Sequence, residues 1–246
     1  MKNFRSLSYH CQFADTTLKW FGSDTERCYH YNLKHNAKDM TKWLDYNVEY
    51  SFNEHGFRSK SFSSENNIMF LGASNTLGTG LAVEDTWVNI VANELNSDYY
   101  NLGQGGGSSD TMYRLASYWI EALKPKLVIC LAPPSARIEV IDGFDSEKPF
   151  FRISSTGITC TNDTVETSIN KDLRSYYDIW SSCDENILLH EEKNRFAISN
   201  ICNFLNIKMV YLSTDSDWVH IDYARDLQHS GVDSNKMFAN LVLSKC

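Results

Sequence analysis

A short apolar segment that ends in glycine constrains the fold of this chain most strongly. Residues 68–71 (Ile-Met-Phe-Leu) follow the polar run 63–67, a pattern typical of a fully buried strand in a parallel sheet. Gly72, Ala73 and Ser74 come next, in the loop where open α/β sheets bind their ligands. Ser74 is therefore either a capping residue of the following helix or a nucleophile at the edge of the sheet.

Strands and helices alternate after this segment. The periodicity predicts a helix at 87–95, a strand at 99–102, a helix at 111–123 and a strand at 127–131. This β-α-β-α-β order indicates a parallel sheet with right-handed crossovers. A fourth parallel strand is predicted at 207–212, with further helices at 164–182, 185–205 and 234–243.

Two regions depart from this alternation. Residues 1–62 are rich in aromatic side chains and show little helical periodicity, which predicts an N-terminal extension packed on a main domain of residues 63–246. Within the extension, the pattern favours a short helix near 37–43 and a half-buried strand at 46–52. Residues 137–163 hold three extended segments separated by turns, which predicts a small antiparallel insertion.

Composition argues against several classes of partner. The chain has 246 residues and a formal net charge of −8, which disfavours nucleic acid or an anionic membrane surface. Its longest apolar run, 127–134, is too short to insert across a bilayer. The seven cysteines include no C-x-x-C pair, and the first residues lack a secretory signal. We therefore expect reduced thiols, a cytoplasmic protein, and neither a metal nor a cofactor.

A catalytic serine needs a base, and the base needs an orienting group. Of the seven histidines, His220 follows the last predicted strand closely, whereas His229 lies further on, in an irregular loop just before the final helix. Asp226 precedes it by three residues, so a tight loop can hold the carboxylate against the imidazole ring. The sequence therefore predicts Asp226 and His229 at the same edge of the sheet as Ser74.

Three motifs together resemble the SGNH (GDSL-like) hydrolases. They are residues 72–74 (Gly-Ala-Ser), residues 101–106 (Asn-Leu-Gly-Gln-Gly-Gly) and Asp226-x-x-His229, in the order that this family shows. The resemblance covers about residues 66–245. It implies a three-layer α/β/α sandwich of flavodoxin-like strand order, with a mainly parallel sheet of about five strands.

The resemblance also implies roles for individual residues. Ser74 would be the nucleophile, His229 the general base and Asp226 the group that orients it. The backbone N–H groups of Ser74 and Gly106 would form the oxyanion hole, with a register uncertain between Gly106 and Gly105. Glycine suits this position because a side chain there would block the approach of the acyl group.

The sequence departs from the family pattern at two places. Ala73 stands where relatives commonly carry aspartate, and Pro133-Pro134 stands where they place an asparagine that donates to the oxyanion. Proline has no N–H to donate. We expect Arg137, Ser135 or Asn75 to contact the substrate or the oxyanion instead.

The motifs favour a serine esterase or acylhydrolase that forms an acyl-enzyme on Ser74. The expected substrate is a small-molecule or carbohydrate ester, with O-acetyl groups favoured. Two alternatives stay open: a catalytically weak module of the same fold that binds glycan or serves in an assembly, and an O-acyltransferase. The sequence leaves the oligomeric state open.

Overall fold

A four-stranded parallel sheet with helices on both faces forms the centre of this protein. The computed structural model describes residues 4–35, 40–62, 67–141, 150–155, 157–160 and 167–246. The strands are β1 (Thr17–Leu18), β2 (Tyr50–Ser51), β3 (Ile68–Gly72), β4 (Tyr99–Asn101), β5 (Leu127–Ala132), β6 (Arg137–Ile141), β7 (Phe150–Ser154), β8 (Gly157–Cys160) and β9 (Lys208–Ser213). The helices are α1 (Glu26–His35), α2 (Ser74–Leu77), α3 (Trp87–Glu94), α4 (Ser109–Leu123), α5 (Thr167–Ser181), α6 (Asp184–Phe204) and α7 (Val232–Leu243).

The strand order of the central sheet is β4-β3-β5-β9, and every pair is parallel. This is the flavodoxin-like order, with β3 and β5 in the middle. The predicted α/β fold is confirmed. The described residues form four strands of this sheet, close to the predicted number of about five. After β9 the chain runs through a polar segment, 214–231, directly into α7, and this segment offers no further apolar run.

Alternate residues of each central strand face opposite helical layers. All of β3 is buried: Ile68 and Phe70 pack against α3 and α7, whereas Met69 and Leu71 pack against α4 and α6. A strand that is buried on both faces needs apolar residues at every position, which explains the unbroken apolar run. These contacts make the protein a three-layer α/β/α sandwich. They also hold the end of β3, which Ser74 follows, in a fixed position.

The N-terminal extension contacts the main domain through buried polar groups. The amide of Tyr9 donates to the side-chain oxygen of Gln104 at 2.8 Å, and Arg114 of α4 donates to the carbonyl of Leu7 at 2.8 Å. Asp24 forms a buried ion pair with Arg225, at 2.7 Å between Oδ2 and Nη2. The boundary between extension and domain, at 62/63, stays a prediction.

Local structure in the extension differs from the sequence prediction in two ways. The ten-residue helix α1 was not predicted. None of its residues is fully buried, and Tyr29 and Leu33 pack only partly buried against the main domain and the rest of the extension. The strand predicted at 46–52 is shorter, with Tyr50–Ser51 pairing antiparallel to β1. Of the helix predicted near 37–43, residues 36–39 lie outside the described residues, and Thr41–Trp43 form one 3₁₀ turn.

The insertion after β5 is an antiparallel sheet of β6, β7 and β8, as predicted. In this sheet Glu139 lies opposite Arg152. Glu139 also forms a buried ion pair with Arg114 of α4, at 2.6 Å between Oε1 and Nε, which fixes the insertion to the main domain. Residues 142–149, 156 and 161–166 of this region lie outside the described residues. No helix in the described ranges is long and apolar enough to cross a membrane.

Candidate active site

Ser74 begins the one-turn helix α2 directly after β3. Ala73, not Ser74, is the N-cap residue of this helix, so capping does not explain the serine. The hydroxyl of Ser74 has no hydrogen-bond partner within the described part of the chain, and the side chain is partly exposed in a cleft. Ser74 is thus free to react with a molecule that enters the cleft.

His229 and Asp226 form a tight pair in the loop before α7. His229 Nδ1 lies 2.6 Å from Asp226 Oδ2, and the amides of Gln228 and His229 both donate to Asp226 Oδ1 at 3.0 Å. The intervening Leu227 has a φ of 56°, a left-handed conformation that turns the chain sharply enough for the two side chains to meet. A carboxylate that accepts a proton from Nδ1 leaves Nε2 as the basic nitrogen.

Asp226 stays ionised because of its hydrogen bonds. Burial alone would raise the pKa of this carboxyl, but the hydrogen bond and charge of His229, together with the hydroxyl of Ser23, lower the pKa to about 2. Ser23 Oγ donates to Asp226 Oδ2 at 2.6 Å and lies 3.4 Å from His229 Nδ1. Sequence reasoning missed Ser23, since nothing in the local sequence links it to a residue 203 positions away.

Replacement of Ser23 with alanine tests this arrangement through pH. Because the folded-state pKa of Asp226 is about 2, below the roughly 3.9 of an unfolded aspartate, ionised Asp226 stabilises the fold above about pH 4, and this contribution is lost as the pH falls toward 2. Without the hydroxyl we expect the pKa to rise and the free energy of unfolding at pH 7 to fall by about 1–3 kcal/mol. The difference from wild type should shrink below about pH 4.

Urea denaturation at pH 7, 4 and 2.5 measures this difference. Ser23→Thr keeps a hydroxyl at the same position and is the matched control, with a pH profile close to that of wild type. A Ser23→Ala protein that is as stable as wild type at every pH would rule out a role for this hydroxyl in holding Asp226.

The glycine-rich loop after β4 brings backbone N–H groups to the same cleft. A Cβ on Gly103 would lie 2.4 Å from the backbone nitrogen of Leu77, so only glycine lets this loop approach α2. Gly106 has a φ of +71°, which also favours glycine. Gly105 and Gly106 both line the cleft, and among the described residues their amides and that of Ser74 have no hydrogen-bond partner. Free amides of this kind can stabilise a developing oxyanion.

Two spaces that share part of their walls lie beside these groups. The larger cleft has a volume of about 750 Å³ and the smaller pocket about 220 Å³, and Ser74, Arg137 and His229 line both. The extension supplies one wall of the larger cleft, with Phe13, Leu18, Trp20, Phe21 and Ser23. This contribution of the extension was not predicted from the sequence.

Three residues were expected to contact the substrate or the oxyanion in place of the asparagine that this chain lacks, and they lie in different parts of the structure. Arg137 lines both spaces, and Asn75 lines the smaller pocket together with Pro133 and Pro134. Ser135 is not part of either wall, since its amide and hydroxyl both donate to Asp215 at 3.1 Å. The structure therefore brings Arg137 and Asn75 to Ser74, but not Ser135.

Two further residues line the larger cleft, although the sequence analysis did not predict them there. Arg152 of β7 lines it and donates a hydrogen bond to the carbonyl of Gly105. His10 lines it from the extension. As for metals, the described residues contain no group of three or more histidine, cysteine, aspartate or glutamate side chains that could hold an ion.

The solved structures that this chain matches include lipolytic proteins and esterases. One is a member of the lipolytic protein G-D-S-L family from Veillonella parvula, with 16% identity and a TM-score of 0.33, covering 72% of this chain and 96% of that one. A psychrotrophic esterase from Pseudoalteromonas sp. has 15% identity, a TM-score of 0.33 and coverages of 73% and 71%. An acetyl xylan esterase from Butyrivibrio proteoclasticus has 13% identity, a TM-score of 0.34 and coverages of 73% and 62%.

No protein-family model matches the sequence, and no curated protein matches it. Because the identities and TM-scores of the similar structures are low, a function for this chain has to come from the geometry of its own site.

Proposed function

We propose that this protein is a serine acylhydrolase that cleaves small acyl esters through an acyl-enzyme on Ser74. The observation that carries the proposal is the 2.6 Å contact between His229 Nδ1 and Asp226 Oδ2, in a loop whose histidine shares a cleft wall with Ser74. Acyl transfer needs an oriented imidazole together with a hydroxyl and amides that can bind the substrate, and here the hydroxyl and the amides have no hydrogen-bond partner among the described residues.

The proposed reaction has two halves. Ser74 Oγ attacks the ester carbonyl while His229 Nε2 takes the hydroxyl proton, and Asp226 stabilises the imidazolium that forms. The amides of Ser74 and Gly106 hold the oxyanion of the tetrahedral intermediate. His229 then gives its proton to the leaving alcohol, and a water molecule, deprotonated by the same imidazole, hydrolyses the acyl-enzyme.

The shape of the cleft supports a small acyl group and a larger alcohol. The pocket of about 220 Å³ lies beside Asn75 and suits a short acyl chain such as acetyl. The larger cleft of about 750 Å³ has Trp20 and Phe21 in its wall, and aromatic faces of this kind pack well on the apolar faces of sugar rings. We therefore infer that the alcohol half is a carbohydrate or a molecule of similar size.

One observation favours a second candidate. The two residues that stand in place of the oxyanion asparagine, Pro133 and Pro134, line the smaller pocket and donate no hydrogen bond. A site with a weaker oxyanion hole could serve as a binding or assembly module that keeps the fold without fast chemistry.

Covalent labelling with a fluorophosphonate probe separates these two candidates. An activated serine reacts with the probe, and we expect mass spectrometry to find the adduct on Ser74. Ser135→Ala is the matched control and should label like wild type, because Ser135 lies outside both walls. A folded protein that carries no adduct on Ser74 would contradict the hydrolase and favour the binding module.

A further inference from the structure

The smaller pocket beside Ser74 has one large side chain in its wall. Ser74, Arg137 and His229 line both this pocket and the larger cleft, so they stand where the two spaces meet. Trp218 lines the smaller pocket but not the larger cleft, and it has the largest side chain of the described residues in that wall. The indole of Trp218 therefore has the greatest influence on how much room a ligand finds in the smaller pocket.

Two contacts hold this indole in place. Its Nε1 donates a hydrogen bond to Ser230 Oγ at 2.8 Å, and the centre of its ring lies 4.5 Å from that of Phe238 in α7. Phe238 is 2% exposed and packs edge-on against Trp87. Because the side chains behind the indole are close-packed, it cannot move toward α7 without displacing core residues.

The hydroxyl of Ser230 connects the indole to the loop of the proposed base. An indole N–H can only donate, so Ser230 Oγ accepts from Trp218 and can give its own proton to His220 Nδ1, at 2.8 Å. Ser230 is 6% exposed and follows His229 directly in the sequence. The same short segment therefore carries the imidazole proposed to activate Ser74 and the group that orients the indole.

Apolar side chains line the smaller pocket together with the indole. They are Leu131, near the end of β5, and the two prolines that follow this strand, Pro133 and Pro134. Leu131 is 1% exposed, and each proline ring restricts its own backbone torsion. An alkyl chain can pack on the proline rings without covering a backbone N–H, since proline has none. The pocket thus offers a short alkyl group apolar contacts within walls that yield little.

We propose that Trp218 sets the length of the acyl group that this site accepts, because its indole limits the pocket into which the acyl chain extends. This inference rests on the proposed function, since it concerns the acyl half of the same substrate. An acetyl group leaves the indole where it is. A long acyl chain has to displace it, which breaks the hydrogen bond to Ser230 and the contact with Phe238. The preferred substrates are then esters of short, unbranched acids.

Hydrolysis of 4-nitrophenyl acetate, butyrate and octanoate tests the proposal, because the three esters share one leaving group and differ only in the acyl chain. In wild type we expect kcat/KM for the acetate to exceed that for the octanoate by about tenfold or more. Trp218→Ala should raise the ratio of octanoate to acetate by about tenfold or more. Trp218→Leu restores part of the lost volume and should raise the ratio less, with the butyrate between the other two esters in each protein.

Two further variants separate the size of the indole from other effects. Ser230→Ala keeps the indole but removes its hydrogen-bond partner, so the ratio should rise by less than in Trp218→Ala. Trp180→Ala is the matched control, because Trp180 belongs to α5 and lies outside both walls, and the ratio should stay that of wild type. General damage to the fold lowers the rates for all three esters together, whereas a larger pocket raises the rate for the octanoate relative to the acetate.

Three results overturn the proposal: a wild type that prefers the octanoate, a ratio that is unchanged in both Trp218 variants, or an equal rise in Trp180→Ala. In each of these cases wild type still hydrolyses esters through Ser74, and only the role of Trp218 is lost. Failure of the proposed function gives a different pattern. Wild type then hydrolyses none of the three esters and carries no fluorophosphonate adduct on Ser74, and the inference fails together with the function.

Discussion

Ser74→Ala is expected to lower kcat for the hydrolysis of 4-nitrophenyl acetate by at least about a thousandfold, and by up to roughly a millionfold if the three residues act as one unit. The reason is chemical, because alanine offers no oxygen to form the acyl-enzyme. The hydroxyl of Ser74 makes no hydrogen bond to a described residue, so its loss should leave the free energy of unfolding within about 0.5 kcal/mol of wild type.

The measurement is a steady-state rate together with a thermal melt of each protein. Ser135→Ala serves as the control, since it removes a hydroxyl bonded to Asp215 and away from the cleft, and its kcat should match wild type. Equal kcat values for Ser74→Ala and wild type would show that hydrolysis proceeds without this serine. The proposal of an acyl-enzyme on Ser74 would then be wrong.

Much of the central fold can be predicted because its signals are local. The apolar run at 68–71 and the one at 127–131 form β3 and β5, since strands buried on both faces require apolar residues at every position. Parallel strands also bring their carboxyl ends to one edge. This geometric rule is why Ser74 and His229, separated by more than half of the chain, can be expected in the same cleft, where the structure has both.

Other parts of the site have no local signal. Ser23 reaches Asp226 from the extension, and Arg152 reaches Gly105 from the insertion. Each contact depends on how a segment outside the β-α alternation packs on the main domain. The hydrophobic periodicity of the sequence carries no information on that packing. The helix α1 is missed for a related reason, because it packs through side chains that are only partly buried, Tyr29 and Leu33, in a segment outside the β-α alternation.

The ion pair of Asp24 and Arg225 should be the most sensitive connection between the extension and the main domain. Arg225 donates from Nε to Oδ1 at 3.0 Å and from Nη2 to Oδ2 at 2.7 Å, and Tyr50 donates its hydroxyl to Oδ2 at 2.6 Å. The side chains of Asp24 and Arg225 are 1% and 3% exposed. Removal of one partner from such a pair leaves the other charge buried and uncompensated.

We therefore expect Asp24→Ala to reduce the free energy of unfolding by about 3–5 kcal/mol, which corresponds to a fall of roughly 10 °C in Tm for a chain of this size. Asp178→Ala is the matched control. Asp178 forms an ion pair with Arg174 on the exposed face of α5, at 2.9 Å and with side chains 55% and 43% exposed, and its loss should cost less than about 0.5 kcal/mol.

Asp24→Ala should also affect catalysis, because Asp24 and Arg225 are next to site residues in the sequence. Asp24 follows Ser23, and Arg225 precedes Asp226, so the buried ion pair holds together the two segments that carry them. Ser23 donates to Asp226 at 2.6 Å, and Asp226 in turn orients His229, the proposed base. Loss of esterase activity in Asp24→Ala should then occur at temperatures below its own global unfolding transition. If activity instead persists up to the melting temperature of the variant, the extension stabilises the fold without organising the site.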